Sequence, residues 1–587
     1  MKNRQVAAFV SALFLALGLS AMLTPVVAAP LKIEDVSRFP AIENVALSPD
    51  GEHIIGLVAA PGQKWPVISV WKTEDLSARP VWIPTKEMRY HFVDFFGNDK
   101  LIFVAQDTHI VGSLKSFQRK LYISDLDGGD IEEPLRQRGT NRNSRRDFSF
   151  GSFFDQFEDS DRVYIESATW STQVIYELNK RTGRKRVIAE SSEESNFLAT
   201  GVHPATGDLL IKQSLEPGDG GYVLKRYLRN DKASPWEYHP ELSYDLVDRM
   251  TLDIAGFDGS AENVVVLTNK GSNFVEARLY NSTTRTWDEA PLFSAPGYDI
   301  VSVSFMRPAE GSMLIASGMT VAGPGLEHVS IHPYWAPVRE SLKQQYPGHQ
   351  ISVYDERNPD EAGKHMAIVQ VQSSQRPPEY YLYVDGQMSL LGKSRPWINS
   401  ADMPKSEWVT YTARDGMKIP AILTLPPGFK KGAARVPVIV HPHGGPWARD
   451  YIGWASSGWV PFLATRGVAV LKTQYRGSTY LGKDQWKAGD SEWGQKMQDD
   501  KDDGAAWLVS EGIGDPDRLA IFGYSYGGFA AIAASVRPNS PYRCAISGAG
   551  VSNLDKLGNL WGGNRILRAI QGRTVDGMVP IENVDKA

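Results

Sequence analysis

The pentapeptide Gly523-Tyr524-Ser525-Tyr526-Gly527 has the form of a nucleophile elbow, a sharp turn between a strand and a helix that exposes a serine hydroxyl. Acyl transfer through such a serine needs a base to take its proton and backbone amides to bind the oxyanion that forms. The amide of Tyr526, the residue after the serine, is the expected first oxyanion donor. The second is expected from the loop His441-Pro442-His443-Gly444-Gly445-Pro446, where two glycines let the backbone come close to a substrate, and Gly445 is the candidate. An idle glycine-rich turn is the competing reading at each place. The base is missing from the pattern: none of the eleven histidines follows Ser525, and only 62 residues come after it.

These residues need elements to hold them. Arg518 to Phe522 reads as a strand and Phe529 to Ala534 as the start of a helix, which places Ser525 on the turn between them. Gly523 and Gly527 have no Cβ, so strand and helix can close on that turn. From Ala401 onward, paired strands at Trp408 to Thr412 and Ile419 to Leu425 precede continuous apolar strands at Val436 to His441, Val468 to Leu471 and Leu519 to Phe522. Helical stretches such as Gln498 to Ser510 and Phe529 to Val536 alternate with them. That alternation predicts a largely parallel sheet covered on both faces.

The preceding region, Leu31 to Trp397, follows another pattern. Short apolar and β-branched runs, among them His53 to Val58, Lys100 to Val104, Arg162 to Ile165, Leu209 to Lys212, Asn263 to Leu267 and Met313 to Ala316, are separated by Gly, Asp, Asn and Pro turns. A second strand signature recurs after several of them, as in Leu121 to Asp125, Ile175 to Asn179, Leu279 to Asn281 and Tyr381 to Asp385. No long helix is expected there. A loose repeat of this kind predicts a β-propeller, with two stacked β-sandwiches as the alternative. The expected organisation is a leader at 1–28, a propeller at 30–400 and an α/β domain of the α/β-hydrolase type at 401–587, incomplete at its C-terminus.

The segment from Trp408 to about Leu557 resembles the catalytic domain of the prolyl oligopeptidase family of serine peptidases. The resemblance is carried by Ala413-Arg414-Asp415-Gly416 with Ile419-Pro420-Ala421, His443-Gly444-Gly445-Pro446, Tyr475-Arg476-Gly477-Ser478, Asp515-Pro516-Asp517-Arg518 and Gly523-Tyr524-Ser525-Tyr526-Gly527-Gly528. It implies a peptidase of short peptides acting through an acyl-enzyme on Ser525, with a propeller that restricts access and no cofactor or metal. The His-Gly-Gly-Pro loop is most similar to acylaminoacyl peptidases and their bacterial relatives. Dipeptidyl peptidases carry a tyrosine at the place of His443, which makes His443 a candidate for substrate contact through a donated hydrogen bond, with loop packing as the equal alternative. Those enzymes hold a substrate's amino terminus with paired glutamates, for which Glu193-Glu194 is the adjacent pair on offer; a solvated turn is its ordinary reading. In the family the triad acid and histidine follow on later loops, and Asp555, Asp576 and Asp585 lack that context. The expectation is a fragment of an active peptidase, with a hydrolase domain that has lost its activity as the competitor.

Other features narrow the classes. A net charge of -5 without a basic stripe argues against nucleic acid as a partner. Lys2 and Arg4, an apolar run from Val6 to about Leu23 and the small residues up to Ala28 have the layout of a secretory signal, implying a periplasmic or secreted protein that meets the membrane only if the segment stays uncleaved. The single cysteine, Cys544, is expected as a small core residue in a buried strand. Asp499-Asp500-Lys501-Asp502-Asp503 is expected to cap the start of a helix rather than hold a cation. An esterase on the same scaffold and a propeller that binds peptides beside a degenerate hydrolase domain stand as the two other functions.

Overall fold

The computed structural model describes residues 30–554 except 86–87, 112–113, 136–149, 157–161, 169–172, 180–181, 183, 192–196, 204–205, 219–220, 307–312, 360–362 and 433. The leader at 1–28, Glu193-Glu194, Asp555, Asp576 and Asp585 lie outside these residues. Among the described residues no helix is long and apolar enough to cross a membrane.

Seven antiparallel sheets of three to five strands follow one another along the chain and form a seven-bladed β-propeller. Their first strands are Ile42–Leu47, Arg89–Phe95, Phe150–Gln156, Phe197–Val202, Leu252–Phe257, Ile300–Met306 and Gln350–Arg357. The apolar runs legible in the sequence are the second strands. Their side chains fill the space between blades on both faces: Ile55 and Leu57 of the first blade pack with Leu101 and Phe103 of the second, and Leu210 and Ile211 of the fourth with Val264 and Val266 of the fifth. Every first strand breaks register against its second strand. A bulge there bends and twists a strand at the edge of its sheet, and it also destroys the alternation by which a strand is recognised in sequence.

Among the described residues the ring closes without sharing a strand between its ends. Ile42, Leu47 and Ile54 of the first blade share a core with Ile368 and Leu382 of the seventh. Arg357 donates from Nε to the Ser48 carbonyl at 3.0 Å and from Nη2 to the Leu47 carbonyl at 2.9 Å, while the Leu47 amide donates to Asp355 at 2.9 Å. One element departs from expectation: an 11-residue helix, Trp335–Gln345, stands between the sixth and seventh blades. Pro333 and Pro337 give this stretch the look of a turn. The helix is anchored by burial of Trp335 and Leu342 against Val353 and Val369 of the last blade.

The α/β domain is one six-stranded sheet. Its strands are β1 (Ser406–Thr412), β2 (Lys418–Thr424), β3 (Val436–Val440), β4 (Ala469–Thr473), β5 (Gly514–Tyr524) and β6 (Cys544–Gly548), in the order β1-β2-β4-β3-β5-β6. β1 and β2 pair antiparallel and the strands from β4 to β6 parallel. Three helices are needed below: α1 (Trp459–Ala464), α2 (Lys496–Ser510) and α3 (Tyr526–Val536). Leu508 of α2 packs on Val438, Leu471 and Leu519 of the sheet. The start of the described chain also reaches this domain, since Arg466 donates to the Leu31 carbonyl at 2.7 Å. Cys544 corrects the expectation of a buried thiol. It is exposed, as are its neighbours on β6, the outer strand among the described residues.

Replacing Arg357 with methionine keeps the apolar stem but leaves two carbonyls at the blade seam without their donor, a cost of about 1–3 kcal/mol. Hydrogen exchange is expected to quicken in Ile42–Leu47 while the α/β domain keeps its protection. Unchanged exchange there would mean that the apolar seam alone holds the ring closed.

Candidate active site

Ser525 occupies the turn between β5 and α3 at φ 57° and ψ -120°, a conformation that a non-glycine residue adopts only when its surroundings impose it. Its amide donates to the Gly548 carbonyl at the end of β6 at 2.9 Å, and its carbonyl accepts from Phe529 in the first turn of α3 at 3.0 Å. The side chain is exposed. Close approach of three backbones enforces the turn. A Cβ on Gly523 would run into the backbone of Gly527, one on Gly527 into the carbonyl of Pro442, and one on Gly528 would sit 2.7 Å from the carbonyl of Gly548.

The loop after β3 lies against this turn. A Cβ on Gly444 would come within 3.3 Å of the Ser525 Cβ and 3.9 Å of its Oγ, so this part of the loop passes directly beside the hydroxyl. Gly445 is exposed and has φ 119°, open to glycine alone. Among the described residues the amides of Gly444, Gly445 and Tyr526 have no acceptor. Unpaired amides on two loops beside an exposed serine are what stabilisation of an oxyanion requires. Gly444 joins Gly445 as a candidate donor on this loop, and the adjacent Gly-Gly pair is its signal in the sequence.

The two histidines of the loop face other partners. His441 places Nδ1 2.6 Å from the Phe522 carbonyl and stacks on the Phe522 ring, joining β3 to β5. His443 places Nε2 2.9 Å from Ser478 Oγ, whose hydroxyl also lies 2.6 Å from the Tyr475 carbonyl. Its Nδ1 lies 2.7 Å from the Gly444 carbonyl and 3.1 Å from the Tyr475 hydroxyl, and burial holds its pKa down to about 4. In this arrangement the ring is neutral at ordinary pH and ties its own loop to Ser478 on the segment after β4, which shapes the loop. Among the described residues no histidine is hydrogen-bonded to Ser525.

Residues 454–561 match the Prolyl oligopeptidase family. Over this stretch the α/β domain is similar to the prolyl oligopeptidase family. A dipeptidyl aminopeptidase BIII of Pseudoxanthomonas mexicana is 26% identical over 530 residues, covering 88% of this chain and 71% of that protein. A dipeptidyl peptidase family member 6 of Caenorhabditis elegans is 34% identical over 211 residues, 32% of this chain and 28% of that protein. The solved structure of a puromycin hydrolase superposes with a TM-score of 0.64 at 16% identity over 95% of this chain and 85% of that one, a likeness of fold.

The family's other motif residues support the site from behind. Arg476, nearly buried, donates from its backbone amide, Nε and Nη2 to Asp500 of α2 at 2.7–2.9 Å and from Nη1 and Nη2 to Asp415 at 2.8 and 3.1 Å. Arg414 binds Asp503 and Asp499, and Arg537 at the end of α3 binds Asp499 and Asp502. The aspartates expected to cap α2 instead hold arginines from three directions. Its N-cap residue, Gln495, makes no side-chain cap. Among the described residues no group of ligands for a metal ion occurs.

Arg476 holds the Asp415 carboxyl down to about 2, chiefly through their hydrogen bonds. An unfolded aspartate titrates near 3.9, so this stabilisation is complete above about pH 4 and is lost as the pH falls through 2. With 34% of the Asp415 side chain exposed, Asp415→Asn is expected to cost less than about 1 kcal/mol at pH 7. Urea titrations should show that difference shrinking as the pH is lowered. Arg476→Met should cost about 3–5 kcal/mol, because it leaves Asp500 buried and unpaired.

Proposed function

We propose that the protein is a serine peptidase of short peptides, with Ser525 as nucleophile and the amides of Tyr526 and Gly445 as the oxyanion donors. The observation that carries this reading is the strained, exposed Ser525 beside unpaired amides from two loops. The peptide bond would be attacked by Ser525 Oγ, its proton passing to a base and then to the leaving amine, and water would release the acyl group. The working enzyme therefore needs a histidine at Ser525 Oγ, a role for which neither His441 nor His443 is placed. The propeller favours small substrates, since it docks on the loop that leads from Gly445: Arg449 donates to the Ala322 and Gly323 carbonyls of the sixth blade at 3.0 and 2.7 Å.

Within this class the reading is of a peptidase that releases residues from the amino end, in line with the dipeptidyl aminopeptidase relative. The leader pattern at residues 1–28 supports export to the periplasm or medium, and a native protein beginning at Ala29 would test it.

The decisive comparison is turnover of short peptides with free and acetylated amino termini, and of a small acyl ester, by the native full-length protein and its Ser525→Ala variant. The expected result is cleavage of the free peptides and loss of about 10⁴-fold or more in kcat in the variant. Preference for the ester would favour the esterase. Peptide binding that survives Ser525→Ala, without turnover in either protein, would favour a binding module.

A further inference from the structure

Lys501 is a charge for which this chemistry has no stated use. It lies in α2 and is fully buried. Its Nζ donates to the Met497 carbonyl one turn earlier at 2.6 Å. The same atom sits 3.7 Å from the centroid of the Tyr475 ring and 5.3 Å from that of Tyr526. The aspartates on either side are taken by others, Asp500 by Arg476 and Asp502 by Arg537. Burial pushes the Lys501 pKa down to about 7, with Asp500 and Asp502 opposing that shift and Arg537 and Arg476 adding to it. An aliphatic side chain would fill this space without the desolvation of an ammonium.

The two rings beneath the ammonium belong to the two halves of the oxyanion site. Tyr475 donates from its hydroxyl to the His443 carbonyl at 2.8 Å and stacks on the His443 ring at 4.4 Å, so it fixes the peptide that leads into Gly444 and Gly445. Tyr526 carries the amide that follows the nucleophile, and its ring lies 5.4 Å from that of Tyr475. A cation over the faces of both rings ties them to α2 by an attraction that an aliphatic group does not provide. We infer that Lys501 is a positioning residue for the oxyanion site, holding the Tyr475 and Tyr526 rings so that the amides of the His443–Gly445 loop and of Tyr526 stay in register beside Ser525.

This rests on the peptidase reading above. An interaction that sets oxyanion donors acts on the transition state more than on bound substrate. In the native full-length enzyme Lys501→Met is expected to lower kcat about tenfold or more at unchanged KM, and to weaken a peptide boronic acid, which forms a tetrahedral adduct with the serine, by a similar factor. Thermal unfolding should be unchanged or raised. Tyr475→Phe keeps the ring under the ammonium but removes the bond to His443, and should also lower kcat at unchanged KM. A folded Lys501→Met with wild-type kcat and boronate affinity would overturn the inference and leave the peptidase reading standing. Should Lys501→Met not fold, wild-type kcat in Tyr475→Phe would overturn it. Absence of peptide turnover in the wild-type enzyme would overturn both.

Discussion

The constraint on which the rest depends is the absence of side-chain volume where β5, α3 and the loop after β3 meet. Gly523 touches Gly527, Gly527 touches Pro442, and Gly528 touches Gly548 and Gly550, backbone against backbone. No residue with a Cβ fits at these contacts without displacing a strand or a helix. Ser525 takes its unusual φ and ψ because both sides of its turn are pinned by them. The oxyanion loop is beside the serine for the same reason: it is the third backbone in the contact.

Polar groups fix what the glycines bring together. Tyr475, Arg476 and Ser478 stand in one short segment after β4 and face three ways: Arg476 to α2 and the β1–β2 turn, Ser478 to His443, and Tyr475 to the His443 carbonyl. The loops that carry them also dock the propeller. Arg449 reaches the sixth blade, Asp299 accepts from the Gly482 amide at 2.8 Å, and Arg249 pairs with Asp490 at 3.0 Å. These contacts join the propeller to the segments that flank His443 and Ser478.

Much of this was legible in the sequence, and the gaps have physical causes. The second strands of the blades stood out because both faces are buried, giving runs such as Asn263 to Leu267; the first strands did not, since a bulge interrupts each of them. The elbow turn and the positive-φ glycine Gly445 could be placed from local pattern, since those backbone conformations demand those residue types. What Asp499 to Asp503 bind could not, because their arginines come from positions 414, 476 and 537. Lys501 reads as one more surface charge until the fold encloses it. Cys544 misled for the opposite reason: an apolar run marks a strand but does not say whether anything packs on it.

The central claim is that Ser525 is an activated nucleophile. It is tested most directly by treating the native full-length protein with a fluorophosphonate and mapping the adduct by peptide mass spectrometry. The account predicts a single adduct on Ser525, blocked by prior incubation with a peptide boronic acid. No adduct, or an adduct on another serine at the same rate with Ser525 unmodified, would contradict it.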